Sequence, residues 1–474
     1  MTTPRLGTKI KALRRREAIT QAELARRLGI SASYLNLIEN NKRPLTATLL
    51  IQIAQQFDVD LGAFANDDDA RLVGELMEVL SDPLFDGHRL KGPDVREFVD
   101  AAPTAARAMR TLYRQFRESS QTTRDLAEQV TEGQDLSPRP SNRLPPEEVS
   151  DLIQANRNFF GTLEDAAEKL RLDANLDETN LVYHDLVDYL HDKLGVEVIQ
   201  LPTHVERAAV RRYDPKRHTL TLSALLDPSG ANFQLAHQIG LLEASEQIDA
   251  IIAAGHLTSP QSVALARVAL GNYFAGAVMM PYAPLLAEAE AVGYDVEIIS
   301  RKFHTSFEQV CHRLTCLRKP GAEGVAFHFI RVDIAGNISK RFSASGVPFA
   351  RFSGACPRWA LFLAFHTPGI IRTQLSEMPN GQRYFCLTRT VNKTRGGFRA
   401  RPTLQAVCIG CRAEDAHRLV YAEHLDLTSA PTIPIGVTCR LCERTQCSDR
   451  AFPSLTAPLN VDENVRGLNL YAGG

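Results

Sequence analysis

The sequence carries almost no net charge, few long apolar runs and no internal repeat. Its 474 residues have a formal net charge of −1, and no segment recurs at a fixed period, which excludes solenoids and propellers. Only residues 268–287 form an uncharged run long enough to span a bilayer. Because this run contains Asn272, Pro281 and Pro284, we expect a buried helix that leads into a loop, and no membrane partner.

The first twenty residues, MTTPRLGTKIKALRRREAIT, lack the apolar core of a signal peptide. A cytoplasmic location is therefore expected, and the nine cysteines are expected to be reduced thiols that favour metal binding over disulfides. The small net charge conceals two basic regions. Residues 1–65 contain ten Lys and Arg against five Asp and Glu, and residues 331–401 contain twelve against two, so each region can attract polyanions.

The length predicts about three domains, and the predicted fold is a multidomain chain, mainly α with α+β parts. Helical patterns dominate first, then a helix, a strand, a hairpin and a long helix follow in the order of a small zinc-peptidase fold, and strands take over near Gly324. The predicted segments are a five-helix helix-turn-helix domain (1–65), a helical connector (66–131), a Pro-rich linker (132–148), an α+β domain (149–320) and a basic, β-rich, cysteine-containing domain (321–474).

The N-terminal segment contains two short helical patterns joined by a tight turn. Thr20 and Glu23 match a capping box, Gly29 supplies the turn, and Ser31 caps the second helix. This second helix presents small polar side chains, which can reach base edges in a major groove, while nearby basic residues (including residues 14–16) suit phosphates. The predicted DNA contacts are Gln21, Ser31, Ser33, Tyr34, Asn36, Asn40, Lys42 and Arg43.

The stretch ANFQLAHQIGLLE has the form of a zinc-peptidase helix without its chemistry. Zinc peptidases carry H-E-x-x-H, in which two histidines bind the metal and the glutamate is the general base. Here His237 is followed by Gln238, and Leu241 replaces the second histidine. One histidine cannot hold a catalytic zinc. We therefore predict that the protein is not an enzyme and that His237 is a core residue.

These stretches resemble known families. Residues 6–64 resemble the lambda-repressor-like helix-turn-helix family. The segments FQLAHQIGLLE and LGNYFAGAVMMP resemble the antirepressor-type metalloproteases of the ImmA/IrrE class, whose additional zinc-binding carboxylate is replaced here by residues 268–270, Val-Ala-Leu.

The whole chain resembles the short-chain fatty acyl transcriptional regulators, through SASYLNLIENNKRPLT, FIRVDIAGNISKRFSASG, SGACPRW, DAHRLVYAE and TIPIGVTCRLCER. The resemblance implies a bacterial regulator of acetate and glyoxylate or propionate and methylcitrate metabolism that senses an acyl-CoA. The expected partners are a DNA operator, an acyl-CoA effector and a second copy of the chain. The alternatives are an active zinc peptidase that cleaves a repressor and an interaction adaptor with a structural zinc.

A degenerate peptidase cleft can serve as a ligand pocket. The residues predicted to line it are Arg212, Tyr213, Asn272 and Tyr273, although the aromatic residues could equally be core. The basic region at 331–401, which includes Arg331 and Lys340, is the other candidate surface for the phosphates of coenzyme A. That region could also be a second nucleic-acid surface or a solvated face.

The C-terminal cysteines indicate a metal centre. Cys408 and Cys411 form one C-x-x-C, and Cys439, Cys442 and Cys447 form C-x-x-C-x4-C, in segments expected to be loops. The two pairs 408/411 and 439/442 would make a zinc ribbon. The set Cys411, Cys439, Cys442 and Cys447 would suit an iron–sulfur cluster.

We prefer the [4Fe–4S] cluster, because it uses the C-terminal cysteines that the resemblance implies and leaves Cys408 dispensable. Cys356 is an alternative fourth ligand. The isolated cysteines at 311, 316 and 386 are expected to be buried small hydrophobes.

Overall fold

The computed structural model describes residues 7–17, 19–40, 42–43, 45–57, 67–85, 92–131, 145–176, 183–201, 210–349, 355–393, 401, 403–440 and 442–454. The described residues within Met1–Thr123, Gly346–Ala355 and Gly436–Gly474 form one compact unit, and those within Arg124–Ser345 and Cys356–Ile435 form a second. The cysteine-rich C-terminal segment thus groups with the N-terminal helices rather than with the sheet. Most of the predicted linker lies outside the described residues.

The first unit is helical. Its helices are α1 (Gly7–Arg16), α2 (Gln21–Arg27), α3 (Ala32–Glu39), α4 (Ala47–Gln56), α5 (Asp67–Val79), α6 (Gly92–Ala101) and the first part of α7 (Pro103–Thr131). Apolar side chains of α1 to α4 form one core, in which Leu24, Leu35 and Ile38 are almost fully buried. Four helices of the predicted five-helix domain are thereby present, and residues 58–65 lie outside the described residues.

The second unit begins with a peptidase-like α+β part. Its elements are α8 (Pro145–Ala155), α9 (Gly161–Asp173), α10 (Tyr183–Leu194), β1 (Glu197–Leu201), β2 (Arg211–Asp214), β3 (Thr219–Ser223), α11 (Pro228–Glu243), α12 (Ser245–Ala254), α13 (Pro260–Met279), α14 (Tyr282–Ala291), α15 (Val296–Lys302) and α16 (Phe307–Leu314). The predicted hairpin is confirmed, because β2 pairs antiparallel with β3, while β1 pairs with β3 in parallel.

Helix α13 explains the one long uncharged run. It is apolar and long enough to cross a membrane, yet more than half of its most apolar window is buried inside the protein. It packs closely on α11, since a Cβ at Gly240 would lie 2.4 Å from the ring of Phe274. The expected loop after it is wrong: the chain turns at Pro281 and starts α14 at once.

The rest of the second unit is a mixed six-stranded sheet in the order β5-β4-β8-β7-β6-β9. Its elements are β4 (His328–Asp333), β5 (Ile338–Ser343), the one-turn helix α17 (Ala360–Leu363), β6 (Arg372–Glu377), β7 (Arg383–Asn392), β8 (Leu404–Arg412) and β9 (Ile433–Pro434). The predicted turn at Asn380-Gly381 joins β6 to β7, and Gly381 has a φ of +80°. One face of the sheet packs on α16 through Phe329, Phe385 and Ile409.

Candidate functional sites

The helix-turn-helix geometry is set by local capping. The backbone N–H groups of Glu23 and Tyr34 donate to the hydroxyls of Thr20 and Ser31 over 3.2 and 3.1 Å, and Gly29 turns the chain with a φ of +67°. These caps fix where α2 and α3 begin. The predicted capping box is only half formed, because the Glu23 carboxylate binds the guanidinium groups that follow it on α2.

Helix α3 leaves a polar face in solvent. Among the residues predicted to contact DNA, the exposed ones are Ser31, Ser33, Asn36, Asn40, Lys42 and Arg43, and the half-buried ones are Gln21 and Tyr34. Asn40 donates its amide to the Asn36 backbone carbonyl over 2.9 Å and to the Asn36 side-chain oxygen, which orders two side chains of this face. Helix α3 is therefore available as a reading helix with polar groups of both donor and acceptor type.

A buried carboxylate that the sequence did not reveal holds this unit together. Glu39 is 2% exposed and accepts two bonds from the Arg14 guanidinium, at 2.6 and 2.9 Å, and one from the Gln21 amide at 2.9 Å. The Glu39 hydrogen bond raises the pKa of Arg14. The expectation that Arg14 contacts phosphate is therefore wrong: it is a structural ion pair between α1 and α3, and Gln21 ties α2 to the same carboxylate.

His237 lies in the core, and neither ring nitrogen is free. Its Nδ1 accepts a hydrogen bond from the Arg211 guanidinium, and its Nε2 is 3.2 Å from the Val268 carbonyl oxygen, to which it donates. Burial, reinforced by the charge of Arg211, lowers the pKa of His237 to about 4. A neutral imidazole with both nitrogens engaged has no lone pair for a metal, which matches the prediction of a core histidine.

A cavity of about 430 Å³ opens elsewhere in the second unit, between the peptidase-like helices and the sheet. Helix α11 contributes its first two turns, α13 contributes Asn272 and Tyr273, and α16 and strands β4, β5 and β7 supply the opposite wall. Its size is within the range of small-molecule sites. The two surfaces that the sequence offered as alternatives, the peptidase cleft and the basic region, therefore border one cavity.

Only half of the predicted ligand residues line this cavity. Arg212 and Tyr213 lie on β2, where they pair with Thr221 and Leu220. Arg212 is exposed, and Tyr213 packs against the core of the peptidase-like part. Neither is a lining residue of the cavity in the described part of the chain. Alternation predicted that both residues lie on the hairpin, but it did not show which way the hairpin faces.

The polar wall of the cavity is a carboxylate surrounded by cations. Arg331 on β4 donates to Glu308 over 2.6 Å, and the Lys393 ammonium is 2.5 Å from the same carboxylate. Lys340, directly opposite Arg331 on β5, adds a third cation. Burial alone would raise the pKa of Glu308, but these positive charges hold it at about 2. Three cations against one carboxylate leave this wall positive.

The floor of the cavity is a buried ion pair. Arg313 donates to both oxygens of Glu164, at 2.6 and 2.7 Å, and to the Met280 carbonyl at 3.0 Å. The Tyr273 hydroxyl donates to the same carboxylate. The apolar side of the cavity is formed by Leu225, Leu226, Phe233, Met280 and Val391. The cavity thus combines a cationic wall with an apolar one.

Part of the cavity lining is predictable from the sequence. Arg331, Lys340 and Lys393 lie in the basic region at 331–401, one of the two candidate ligand surfaces. Glu308, His312 and Arg313 were not expected, because nothing in the helical pattern of α16 shows that its polar face meets β4 and β5. Burial lowers the pKa of His312 to about 3, so this lining residue is neutral.

The cysteines separate into two places. Cys408 and Cys411 both lie on β8, a strand and not the expected loop. Because they are three residues apart, their side chains point to opposite faces of the sheet, and Cys411 packs in the apolar cluster against α16. The two thiols cannot bind one ion without disrupting β8, so the zinc ribbon that requires both is wrong.

The other three cysteines lie in a loop of the first unit, where Cys439 and Cys442 are buried and Cys447 is half-buried. The guanidinium of Arg450 organises this loop: it donates to the carbonyls of Cys439 and Cys442 at 2.7 and 2.8 Å and to that of Arg444 at 2.5 Å. One short loop, ordered by a buried guanidinium, thus carries three cysteines, and cysteine thiolates are the usual ligands of metal–sulfur centres.

Family models match three parts of the chain. A helix-turn-helix model matches residues 10–64, an IrrE N-terminal-like domain matches residues 191–315, and the C-terminal domain of a short-chain fatty acyl coenzyme A regulator matches residues 316–471. The three matches follow the order of parts predicted from the sequence.

Several curated proteins are similar over nearly the full chain. The HTH-type transcriptional regulator RamB of Mycobacterium tuberculosis (strain H37Rv) is 39% identical over 98% of both chains. PrpR, a regulator of the same type and strain, is 35% identical over 97% of this chain and 94% of its own. The propionyl-CoA carboxylase regulator of Cereibacter sphaeroides is 37% identical over 98% of both.

A solved structure titled Mycobacterium tuberculosis transcriptional regulator is 36% identical, with a TM-score of 0.66, and matches 70% of this chain and 100% of its own. Together with the full-length relatives, this similarity leaves one assignment. The chain belongs to the family of HTH-type transcriptional regulators that carry a short-chain fatty acyl coenzyme A regulator domain.

Proposed function

We propose that the protein is a cytoplasmic, DNA-binding regulator of bacterial short-chain fatty acid metabolism, of the acetate and glyoxylate or propionate and methylcitrate type. Helix α3 reads an operator, and an acyl-CoA bound in the cavity between α11, α13, α16 and β4–β5 changes that binding. The related regulators RamB and PrpR and the propionyl-CoA carboxylase regulator support this reading. We place the protein on its operator as a homodimer.

The proposal of an acyl-CoA site rests on the composition of the cavity. Phosphates need several cations, and a short acyl chain needs an apolar slot. Arg331, Lys340 and Lys393 supply the cations, and Phe233 and Met280 are among the apolar side chains. Tyr273 is 5% exposed and hydrogen-bonded to Glu164, so it shapes the floor, whereas Asn272 is the predicted residue that offers a polar side chain to the ligand.

The direct test is binding of acetyl-CoA and propionyl-CoA to the full-length chain by calorimetry. Lys340→Ala and Lys393→Ala should each weaken binding about tenfold, because each removes one charge-assisted contact of about 1.5 kcal/mol. Arg212→Ala is the matched control, since it removes an exposed cation of the same unit outside the cavity. Equal loss in all three variants would show that bulk charge, and not this cavity, attracts the ligand.

The regulatory step is tested by electrophoretic mobility shift on the protein's own upstream region. Addition of acetyl-CoA or propionyl-CoA should change the operator affinity of the wild type, and the Lys340→Ala variant should need about tenfold more effector. An operator affinity that does not change at saturating acyl-CoA would favour an interaction adaptor over a regulator.

The same proposal holds that the protein is not a peptidase. The engaged ring nitrogens of His237 and the glutamine at 238 support this reading. Cleavage of a peptide library by the purified chain, abolished by a chelator and by His237→Ala, would contradict it.

The cysteines of the first unit form, in our proposal, part of a [4Fe–4S] site. Cys439, Cys442 and Cys447 supply three thiolates, and the buried guanidinium of Arg450 offsets their negative charge. Anaerobically purified protein should be brown, and its visible absorption should bleach on reduction. Cys447→Ser should lose the colour and Cys408→Ser should keep it. Anaerobically purified protein without visible absorption would contradict the cluster.

A further inference from the structure

Three central strands of the six-stranded sheet bring a histidine and two cysteines together. On β8, Cys408 and Gly410 point to the face opposite Cys411. In the strand register, Gly410 lies across from both His328 on β4 and Cys386 on β7, and Cys408 lies across from Thr388 on β7. The imidazole and both thiols therefore converge above Gly410.

Their ligand atoms are already close. Nε2 of His328 is 3.3 Å from Sγ of Cys386, and that nitrogen and the two sulfurs all lie within 4.8 Å of one another. A tetrahedral zinc with bonds of about 2.3 Å to sulfur and about 2.0 Å to nitrogen separates its ligand atoms by roughly 3.5–3.8 Å. The three atoms need only small shifts to reach that spacing.

Two further contacts prepare the site. Nδ1 of His328 lies 2.8 Å from the Ser345 hydroxyl, and if it donates its proton there, Nε2 is left with a lone pair directed at the thiols. A Cβ at position 410 would lie 2.6 Å from Nε2 of His328 and 2.7 Å from Sγ of Cys386. Only glycine leaves room for both ligands at this point of β8.

We propose that His328, Cys386 and Cys408 bind a structural zinc ion, with the Thr388 hydroxyl as fourth ligand. Thr388 is fully buried. Its hydroxyl interacts with the Cys408 thiol and meets the geometric criteria of a hydrogen bond with no other group among the described residues. A buried site shut off from water must take its fourth ligand from the protein, and this oxygen is adjacent in the register.

The charge selects the metal. Soft thiolates favour Zn²⁺ or Cu⁺ over hard cations, and the buried position favours a complex without net charge. Zinc with two thiolates is neutral, whereas Cu⁺ with two thiolates leaves one negative charge in the core.

This site is separate from the proposed iron–sulfur site. None of its ligands belongs to the Cys439–Cys447 loop or to the opposite face of β8. It would cross-link β4, β8 and β7, and so stabilise the sheet that supplies Arg331 and Lys393 to the cavity.

The test is the zinc content and cobalt spectrum of the full-length chain. Apoprotein titrated with Co²⁺ should develop thiolate-to-cobalt charge-transfer absorption at one equivalent, and Zn²⁺ should displace it. Cys386→Ser and Cys408→Ser should each lose one equivalent of zinc, and Thr388→Val should bind Zn²⁺ roughly tenfold more weakly. Cys311→Ser, a buried thiol elsewhere in the same unit, and Cys447→Ser should keep this equivalent.

The wild-type titration does not depend on how the variants fold. Absence of a thiolate–cobalt band in wild-type apoprotein would overturn the proposal. So would a zinc content unaffected by Cys386→Ser and Cys408→Ser, or a Cys386–Cys408 disulfide found by mass spectrometry in place of the ion.

Discussion

His237 makes stability depend on pH in a defined direction. Its ordinary pKa is 6.5, and in the folded protein it is lowered to about 4. Between these values the unfolded chain binds a proton that the folded chain does not, so stability falls as pH falls through this window. The free energy of unfolding should fall by on the order of 2 kcal/mol from pH 7.5 to pH 5.

Urea titrations at both pH values measure this difference in the free energy of unfolding. His237→Gln should reduce that difference, and an unchanged difference would show that folding does not shift the pKa of His237.

Loss of Arg313 should strongly destabilise the second unit. It is 2% exposed and paired with both oxygens of Glu164. Arg313→Met would leave a buried carboxylate without its cation, which should destabilise the unit by about 3–5 kcal/mol. The exposed pair of Arg267 and Asp249 is the control, since Arg267→Met should cost at most about 1 kcal/mol. Equal effects in denaturant titrations would mean that the floor of the cavity is hydrated.

Substitutions on the exposed face of α3 should change sequence preference, and substitutions just after its end should change general affinity for DNA. Ser33 and Asn36 project from its exposed face, and Lys42 and Arg43 follow its end. Ser33→Ala and Asn36→Ala should each reduce discrimination between operator and mutated operator by about 1–3 kcal/mol. Lys42→Ala should weaken binding to all sequences and lower the slope of log affinity against log salt by about one. Salt-dependent titrations distinguish loss of sequence preference from loss of general affinity. If Ser33→Ala and Asn36→Ala kept the preference for the operator, the base contacts would have to come from a surface other than α3.

Elements with local signals were predictable, and contacts between distant segments were not. Thr20, Gly29 and Ser31 define α2 and α3 within a dozen residues, and the Asn380-Gly381 turn defines a hairpin by itself. The loop predicted around Cys408 and Cys411 is wrong, because a C-x-x-C pattern looks the same in a loop and in a strand. Strand β8 is buried on both faces, so its sequence lacks the alternation that would have identified it. Glu39 with Arg14, and Glu308 with Lys393, join positions far apart in the sequence, and no local pattern specifies such pairs.

The complete protein should read two half-sites as a symmetric dimer. One helix of eight residues makes few base contacts, and two-fold pairing doubles them at a spacing of about one helical turn, roughly 34 Å. Light scattering of the protein with operator should give two chains per site. Insertion of about five base pairs between the half-sites should abolish tight binding, because it rotates one half-site to the opposite side of the duplex. Binding that tolerates the insertion would indicate independent monomers.

The Arg211–His237 contact also limits what restoring the peptidase motif in the sequence would achieve. Exchange of Gln238 for glutamate and Leu241 for histidine would rewrite the motif in the sequence, but Nδ1 of His237 would still accept from Arg211 and Nε2 would still donate to Val268. Each exchange taken singly gains no zinc affinity while that arrangement persists. A zinc site at this helix would therefore also require an exchange at Arg211 and a carboxylate within residues 268–270.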